Sequence, residues 1–372
     1  MAAWNRLSSS CAAALILVVV GCGARADSPG LPESSGLGDL PVGWTPLPAP
    51  PEIRSRAATA WTGEKALVWG GYEFRGDGEE MAEANGFAFD ASCRTWQPIA
   101  DSPLAPRAFP ASAWTGEELL VWGGADARQE RFFGDGAAYD PETGTWRTLP
   151  ESPIGARAPL SVWTGDELIV WGTSLRMHPR PRDGAVYNPA TNSWRTIAEA
   201  PIELTDATAV WTGREMIAFG AALHGGNFPE TESAIGAAYD PETDTWRRLP
   251  GSTLSPQAST AAWTGRELVA WDYLNGTAAY DPAADRWRTL TDVPLNSGEC
   301  SPESVSVGGW VLGNYCGLHA LYDPAIDRWD ALAGVEIAGW WDNELVRAGQ
   351  VVLLLGRNAE TDQERMLACR PG

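Results

Sequence analysis

Positive charge is scarce in this chain. Its 372 residues include a single lysine, Lys65, and 27 Lys and Arg stand against 48 Asp and Glu, for a formal charge of −21 at pH 7. A surface of that sign repels phosphate backbones, which excludes nucleic acid as a partner. Arginine in place of lysine, beside abundant Ala, Gly and Pro, is what a GC-rich genome produces. Histidine is also sparse. His178, His224 and His319 fall in different segments with no short ligand spacing, so neither a metal nor another cofactor is expected. No Ser–His–Asp order, nucleophile elbow or Gly-rich phosphate loop stands out. The apolar run Cys11–Val20 is too short to cross a bilayer as a stable helix.

That run belongs to an address. Asn5-Arg6 supplies a positive start, the apolar stretch follows, and the segment ends in Val19-Val20-Gly21-Cys22. The ending resembles the lipobox of bacterial lipoproteins, which implies cleavage before Cys22 and acylation of its thiol. The alternative is ordinary secretion with cleavage after Ala24-Arg25-Ala26. Either route exports the protein, and loss of residues 1–21 removes Arg6 and makes the remainder one unit more acidic. Residues 22–43 are rich in Gly, Pro, Ser and acid, a flexible tether with a reach of about 25 Å.

What the chain has in plenty is a repeat. A Trp-Thr-Gly turn, a short apolar strand, then an aromatic and a Trp seven residues later recur. The pairs are Phe89/Trp96, Tyr139/Trp146, Tyr187/Trp194, Tyr239/Trp246, Tyr280/Trp287 and Tyr322/Trp329. A period of roughly 40–50 residues with dense turn signals belongs to propellers, not helical solenoids. Each unit reads as four strands. Strand a ends at Trp61, Trp114, Trp163, Trp211 or Trp263. Strand b is unbrokenly apolar and so buried on both faces. Strand c closes on the aromatic, an Asp-Pro turn follows, and strand d carries the Trp and ends in Leu-Pro, as suits an outer edge.

Gly-Gly after strand b (Gly70-Gly71, Gly123-Gly124) and the Tyr-to-Trp spacing resemble the kelch repeat of galactose-oxidase-like propellers, from about Trp44 to the C-terminus. The resemblance decays along the chain: Gly172 and Gly220 stand alone, Asp272 replaces the pair in blade 5, and blade 6 has Ser306-Val307-Gly308 for its Trp-Thr-Gly. Trp44-Thr45-Pro46-Leu47-Pro48 has the outer-strand signature with no strands before it, and residues 337–369 have three strands with no outer one. The expected fold is therefore all-β: a seven-bladed propeller over residues 44–372, its last blade closed by the N-terminal outer strand. The copper chemistry of galactose oxidase is not implied, because five of eight Tyr occupy the structural strand c position.

Cys93, Cys300, Cys316 and Cys369 make an even set in an exported domain, which permits disulfides. Strand alternation favours Cys300–Cys316 and allows Cys93–Cys369 across the closure. The alternative is four buried thiols.

A propeller is a scaffold, and its function lies in loops. The b–c loops and blade-to-blade connections share one face; they are long in blades 1 to 4 and short in blades 5 to 7. Candidate ligand residues there are Tyr72, Phe74 and Arg75 in blade 1, Arg128, Arg131, Phe132 and Phe133 in blade 2, His178, Arg180 and Arg182 in blade 3, and His224 and Phe228 in blade 4. The arginines form a local positive field suited to a carboxylate, sulfate or phosphate, with a Phe stacking on a sugar ring. The alternative is pairing with loop acids such as Glu79, Glu80 and Asp183. Arg54, Arg107 and Arg157 precede three inner strands. An arginine trio binds a carboxylate in sialic-acid enzymes, but the Ser-x-Asp-x-Gly-x-x-Trp box of sialidases is absent, and loop anchoring is the alternative. No catalytic residue is identified. The expected role is a monomeric, envelope-anchored binding module for a glycan or protein, touching the membrane only through its lipid. A metal-independent sugar-acting enzyme using a carboxylate such as Glu79 or Glu80 is the alternative.

Overall fold

The Trp-Thr-Gly turn closes each inner hairpin through its threonine. Thr62 Oγ1 accepts the backbone N–H of Lys65 at 2.9 Å, and Thr115, Thr164, Thr212 and Thr264 repeat this bond at 2.9–3.0 Å. The glycine that follows takes φ between +95° and +110° in all five copies, a region that side-chain-bearing residues avoid. A computed structural model describes residues 36–74, 80–172, 181–221, 234–255, 260–272, 276–295, 303–315, 318–332, 344–357, 361 and 363–372, except the side chains of Phe74, Glu80 and Asp206. These lie within one unit, Ser34–Gly372.

Seven four-stranded antiparallel sheets follow one another along the chain. Their inner strands are Ala58–Trp61, Ala111–Trp114, Leu160–Trp163, Thr205–Trp211, Thr260–Trp263, Glu303–Val307 and Glu344–Ala348. Each inner strand contacts the next, and the seventh contacts the first, so the ring is closed. The b strands are buried at almost every position, and Leu119–Trp122 at all four, because both faces of each blade pack on a neighbour. The outer strands, such as Thr145–Thr148, are half-exposed.

The seven-residue spacing is a cross-strand pair around the c–d turn. Tyr139 stands opposite Trp146 in register, with ring centroids 5.1 Å apart, and Tyr187/Trp194, Tyr239/Trp246 and Tyr322/Trp329 repeat that distance. Such a tilted pair adds about 0.5–1.5 kcal/mol to the area it buries. The Trp also reaches backwards. The indole N–H of Trp146 donates to Ala100 O at 2.9 Å, that of Trp194 to Pro150 O at 3.1 Å, and that of Trp287 to Pro250 O at 3.0 Å, each in the preceding blade.

The seventh blade closes as expected. Gly43–Leu47 pairs antiparallel with Glu364–Arg370, Trp44 opposite Cys369 and Leu47 opposite Met366. Trp96 of blade 1 donates to Pro48 O at 3.0 Å, so the N-terminal strand receives the same indole bond as any other outer strand.

The Cys93–Cys369 bridge is not formed. Cys369 is a buried free thiol, packed with Val307, Leu312 and Leu321 of blade 6. Alternation along its strand turns it toward blade 6, whereas Cys93 lies in blade 1, on the other side of the seventh sheet. Burial pushes the Cys369 thiol up to about 12. Cys93 is disulfide-bonded to a partner outside the described residues. Cys300 and Cys316 also lie outside them.

Candidate functional site at the loop face

Four-stranded blades in simple meander order put the a–b and c–d turns on one face and the b–c loops on the other. The turn face is bolted by a repeated latch. Arg147 in strand d of blade 2 grips Glu118 with Nε at 2.7 Å and Nη2 at 2.5 Å. It also donates to Tyr187 OH of blade 3 at 3.2 Å, and that hydroxyl donates to Asn192 at 2.7 Å. Blade 4 repeats this with Arg247, Glu215, Tyr280 and Asp285. Burial pushes Tyr280 up to about 12, so its hydroxyl keeps the proton it donates.

The loop face is different. The three lead-in arginines are buried there, with Arg107 fully enclosed. Arg107 donates to both oxygens of Asp135 at 2.8 and 3.2 Å and to Gly123 O at 3.1 Å. Arg157 grips Asp183 at 2.8 and 3.1 Å. Each aspartate ends the b–c loop of the arginine's own blade, so the fork fastens loop to scaffold, and the anchoring alternative describes both residues. The bond from Arg157 holds the Asp183 carboxyl below its ordinary range. Burial pushes Asp135 up, but Arg107 outweighs it and the net direction is down. In blade 1 an amide, Asn85, replaces the aspartate. Arg54 donates to it at 3.0 Å and to Glu52, while its Nε and Nη1 have no hydrogen-bond partner among the described residues.

Gly-Gly has its reason here as well. Gly123 has φ +70°, and a Cβ on it would lie 2.6 Å from Arg157 O of the next blade, whose carbonyl accepts the Gly124 N–H at 2.8 Å.

Of the ligand candidates, the blade 2 group is the best defined. The buried Phe133 ring carries two guanidinium groups over it, the Arg107 carbon at 4.2 Å and the Arg131 carbon at 5.0 Å from its centroid. Arg131 and Arg128 are exposed and Phe132 is half-buried. Tyr72 is buried, its ring 5.9 Å from that of Phe109, and serves as loop core. Arg182 pairs with Glu199 at 3.2 Å, which follows the alternative of pairing with acids. Asp183, engaged by Arg157, is not its partner. The Phe74 and Glu80 side chains and residues Arg75, Glu79, His178, Arg180, His224 and Phe228 lie outside the described residues. His319 is buried with its ring edge-on to Trp44 at 5.2 Å, and among the described residues no cluster could hold a metal ion.

A second cluster was not legible in the sequence. Arg56 Nη1 pairs with Glu303 Oε1 at 3.1 Å, and Glu344 Oε2 accepts the Ala57 N–H at 3.4 Å. The three charged residues begin the inner strands of blades 1, 6 and 7, so they meet at the loop-face mouth of the channel. Burial, then the charge of Glu303, pushes the Glu344 carboxyl up to about 8 against the pull of Arg56. Arg56 and Phe109 both hold left-handed backbone, φ 57° and 56°, joined by a Phe109 N–H bond to Arg56 O at 2.9 Å. Such conformations cost roughly 1–3 kcal/mol each and gather at working sites.

No family model matches this chain, and no curated protein matches it in sequence. Among solved structures, that of YjhT is similar, with a TM-score of 0.51 at 16% identity over 86% of this chain and 95% of that one. Identity that low speaks to fold alone, and the fold it supports is the one built above from the strands: a seven-bladed β-propeller.

Proposed function

We propose that this chain is a kelch-type propeller held at a bacterial cell envelope by a lipid on Cys22, with residues 22–35 as its tether, since Leu37 and Leu40 already lie in the core. In this reading it works as a binding module that recognises a glycan or a protein through the b–c loop face. The observation that carries the reading is the Arg107–Phe133–Arg131 stack. Arg107 is locked to Asp135, Phe133 lies against it, and Arg131 lies over Phe133, so an exposed guanidinium is held in place. Among the described residues no carboxylate pairs with Arg131. A prepositioned fork of this kind suits an acidic sugar or an acidic side chain. A second reading, acid–base chemistry on a sugar without a metal, draws on Glu344, whose raised pKa leaves it able to give or take a proton near neutrality.

A glycan-array screen of the full chain, followed by Arg131→Ala, tests the proposal. An acidic hit whose affinity falls about tenfold in the variant, with an unchanged melting curve, supports it, since one charge-assisted contact is worth roughly 1.5–3 kcal/mol. Unchanged affinity for that hit excludes Arg131 as the contact. Turnover of the hit that disappears in Glu344→Gln favours the enzyme reading.

A further inference from the structure

The channel has a second end. On the turn face, a cavity of about 430 Å³ opens between the inner strands of blades 4 to 7. That volume falls in the range of about 300–1,000 Å³ usual for small-molecule sites. Its walls carry hydroxyls of Thr208, Ser304 and Ser306, the indoles of Trp211 and Trp263, and one guanidinium, Arg347. Among the described residues no carboxylate lines it. Toward the loop face, the Thr260 and Ser304 hydroxyls meet at 3.1 Å and tie blade 5 to blade 6.

Arg347 breaks the repeat. In blades 1 to 5 the matching place is the turn Trp itself (Trp61, Trp114, Trp163, Trp211 or Trp263), whose strand b partner pairs with the strand c aromatic, and in blade 6 it is Ser306, linked through Val311 to Tyr322. In blade 7 it is Arg347, linked through Val352 to Cys369, the residue opposite the outer-strand Trp44. Val346 and Ala348 pack into the core between blades 7 and 1, and Leu345 packs toward blade 6. Alternation therefore puts Arg347 on the blade 6 side, against the cavity. Its side chain is exposed, and among the described residues nothing pairs with it. Five blades fill this place with an indole, so the guanidinium is a departure peculiar to the seventh. Among the described residues of a chain of charge −21, this arginine stands unpaired in a hydroxyl- and indole-lined hollow.

We propose that this cavity is a ligand site on the turn face, separate from the loop-face site, for a small organic anion of sugar-acid type. Arg347 holds the carboxylate, the serine and threonine hydroxyls meet the hydroxyls of the ligand, and a Trp indole covers its apolar face.

Equilibrium dialysis of the full-length protein with labelled glucuronate and glucose tests this. Glucuronate should bind at one site, and glucose at least about tenfold more weakly, the loss expected for one charge-assisted contact. Arg347→Ala should cut glucuronate binding by a similar factor with an unchanged melting curve, and Arg347→Gln, which keeps most of the bulk, should do the same. Arg131→Ala should leave it intact. The inference is overturned if glucuronate does not bind at millimolar concentration, if glucose binds equally well, or if the Arg347 variants bind as wild type. It also falls if Arg131→Ala abolishes binding, because the anion then sits on the loop face.

Discussion

Leu47 and Leu149 occupy the same place in the repeat, three residues after an outer-strand Trp, and are equally buried at 8% and 9% exposure. They differ in connection. Leu149 follows its own blade's strand c through a turn, whereas Leu47 belongs to a strand held in blade 7 by pairing with Glu364–Arg370 alone. Replacing either by Ala removes three buried carbons, roughly 2–3 kcal/mol at about 0.8 each. With the cavity left behind, the total is about 2–5 kcal/mol. Urea unfolding should therefore show similar losses for Leu47→Ala and Leu149→Ala. Hydrogen exchange should separate them. Leu47→Ala weakens the seam where the two ends of the chain share one blade, so amides of Met366–Arg370 should exchange faster while those of blade 2 keep their protection. A loss under about 0.5 kcal/mol, the level of an ordinary surface change, together with unchanged exchange at 366–370, would show that the N-terminal strand does not close the ring.

The remaining predictions concern pH and localisation. The Asp183 carboxyl is held low in the fold by Arg157, so its contribution is fully present above the unfolded value of about 3.9 and lost as pH falls through its folded value. Thermal melts of Asp183→Asn should accordingly be less stable than wild type at pH 7, with the difference closing in acid, and a gap that persists at the lowest pH would refute the linkage. In a bacterial host, Cys22→Ser should move the protein from the membrane to the soluble fraction, and a mature N-terminus mapped at Asp27 would refute lipidation.

Features written in one repeat were legible in the sequence. The Tyr-to-Trp spacing gives the blade count because it is a cross-strand pair, and Trp44 foretells closure because an outer-strand signature without strands before it needs strands elsewhere. Contacts between blades were hidden. Arg147 finds Glu118 in its own blade but Tyr187 in the next, and nothing local marks that pair. The Arg56–Glu303–Glu344 cluster joins opposite ends of the chain and exists only once the ring is closed. Cys369 was misassigned for a related reason: an even cysteine count says nothing about which side of its strand a thiol faces.

The scarcity of lysine has a structural counterpart beyond genome composition. Arg147, Arg247 and Arg288 each hold two oxygens of one glutamate, and Arg107 and Arg157 do the same to aspartates. A lysine ammonium is a point charge on a flexible stem and cannot span two carboxylate oxygens while reaching a tyrosine hydroxyl in the next blade. Long sequence distances between partners make that geometry the specification of the ring, because a fork fits only when neighbouring blades stand in one orientation. Arg131 and Arg347 depart from this pattern. Among the described residues neither pairs with a carboxylate; one is held by stacking at the loop face, and the other stands in the channel wall where five blades carry the turn Trp. Arginine elsewhere closes the structure on itself, and these two are the forks that the proposed ligands would occupy.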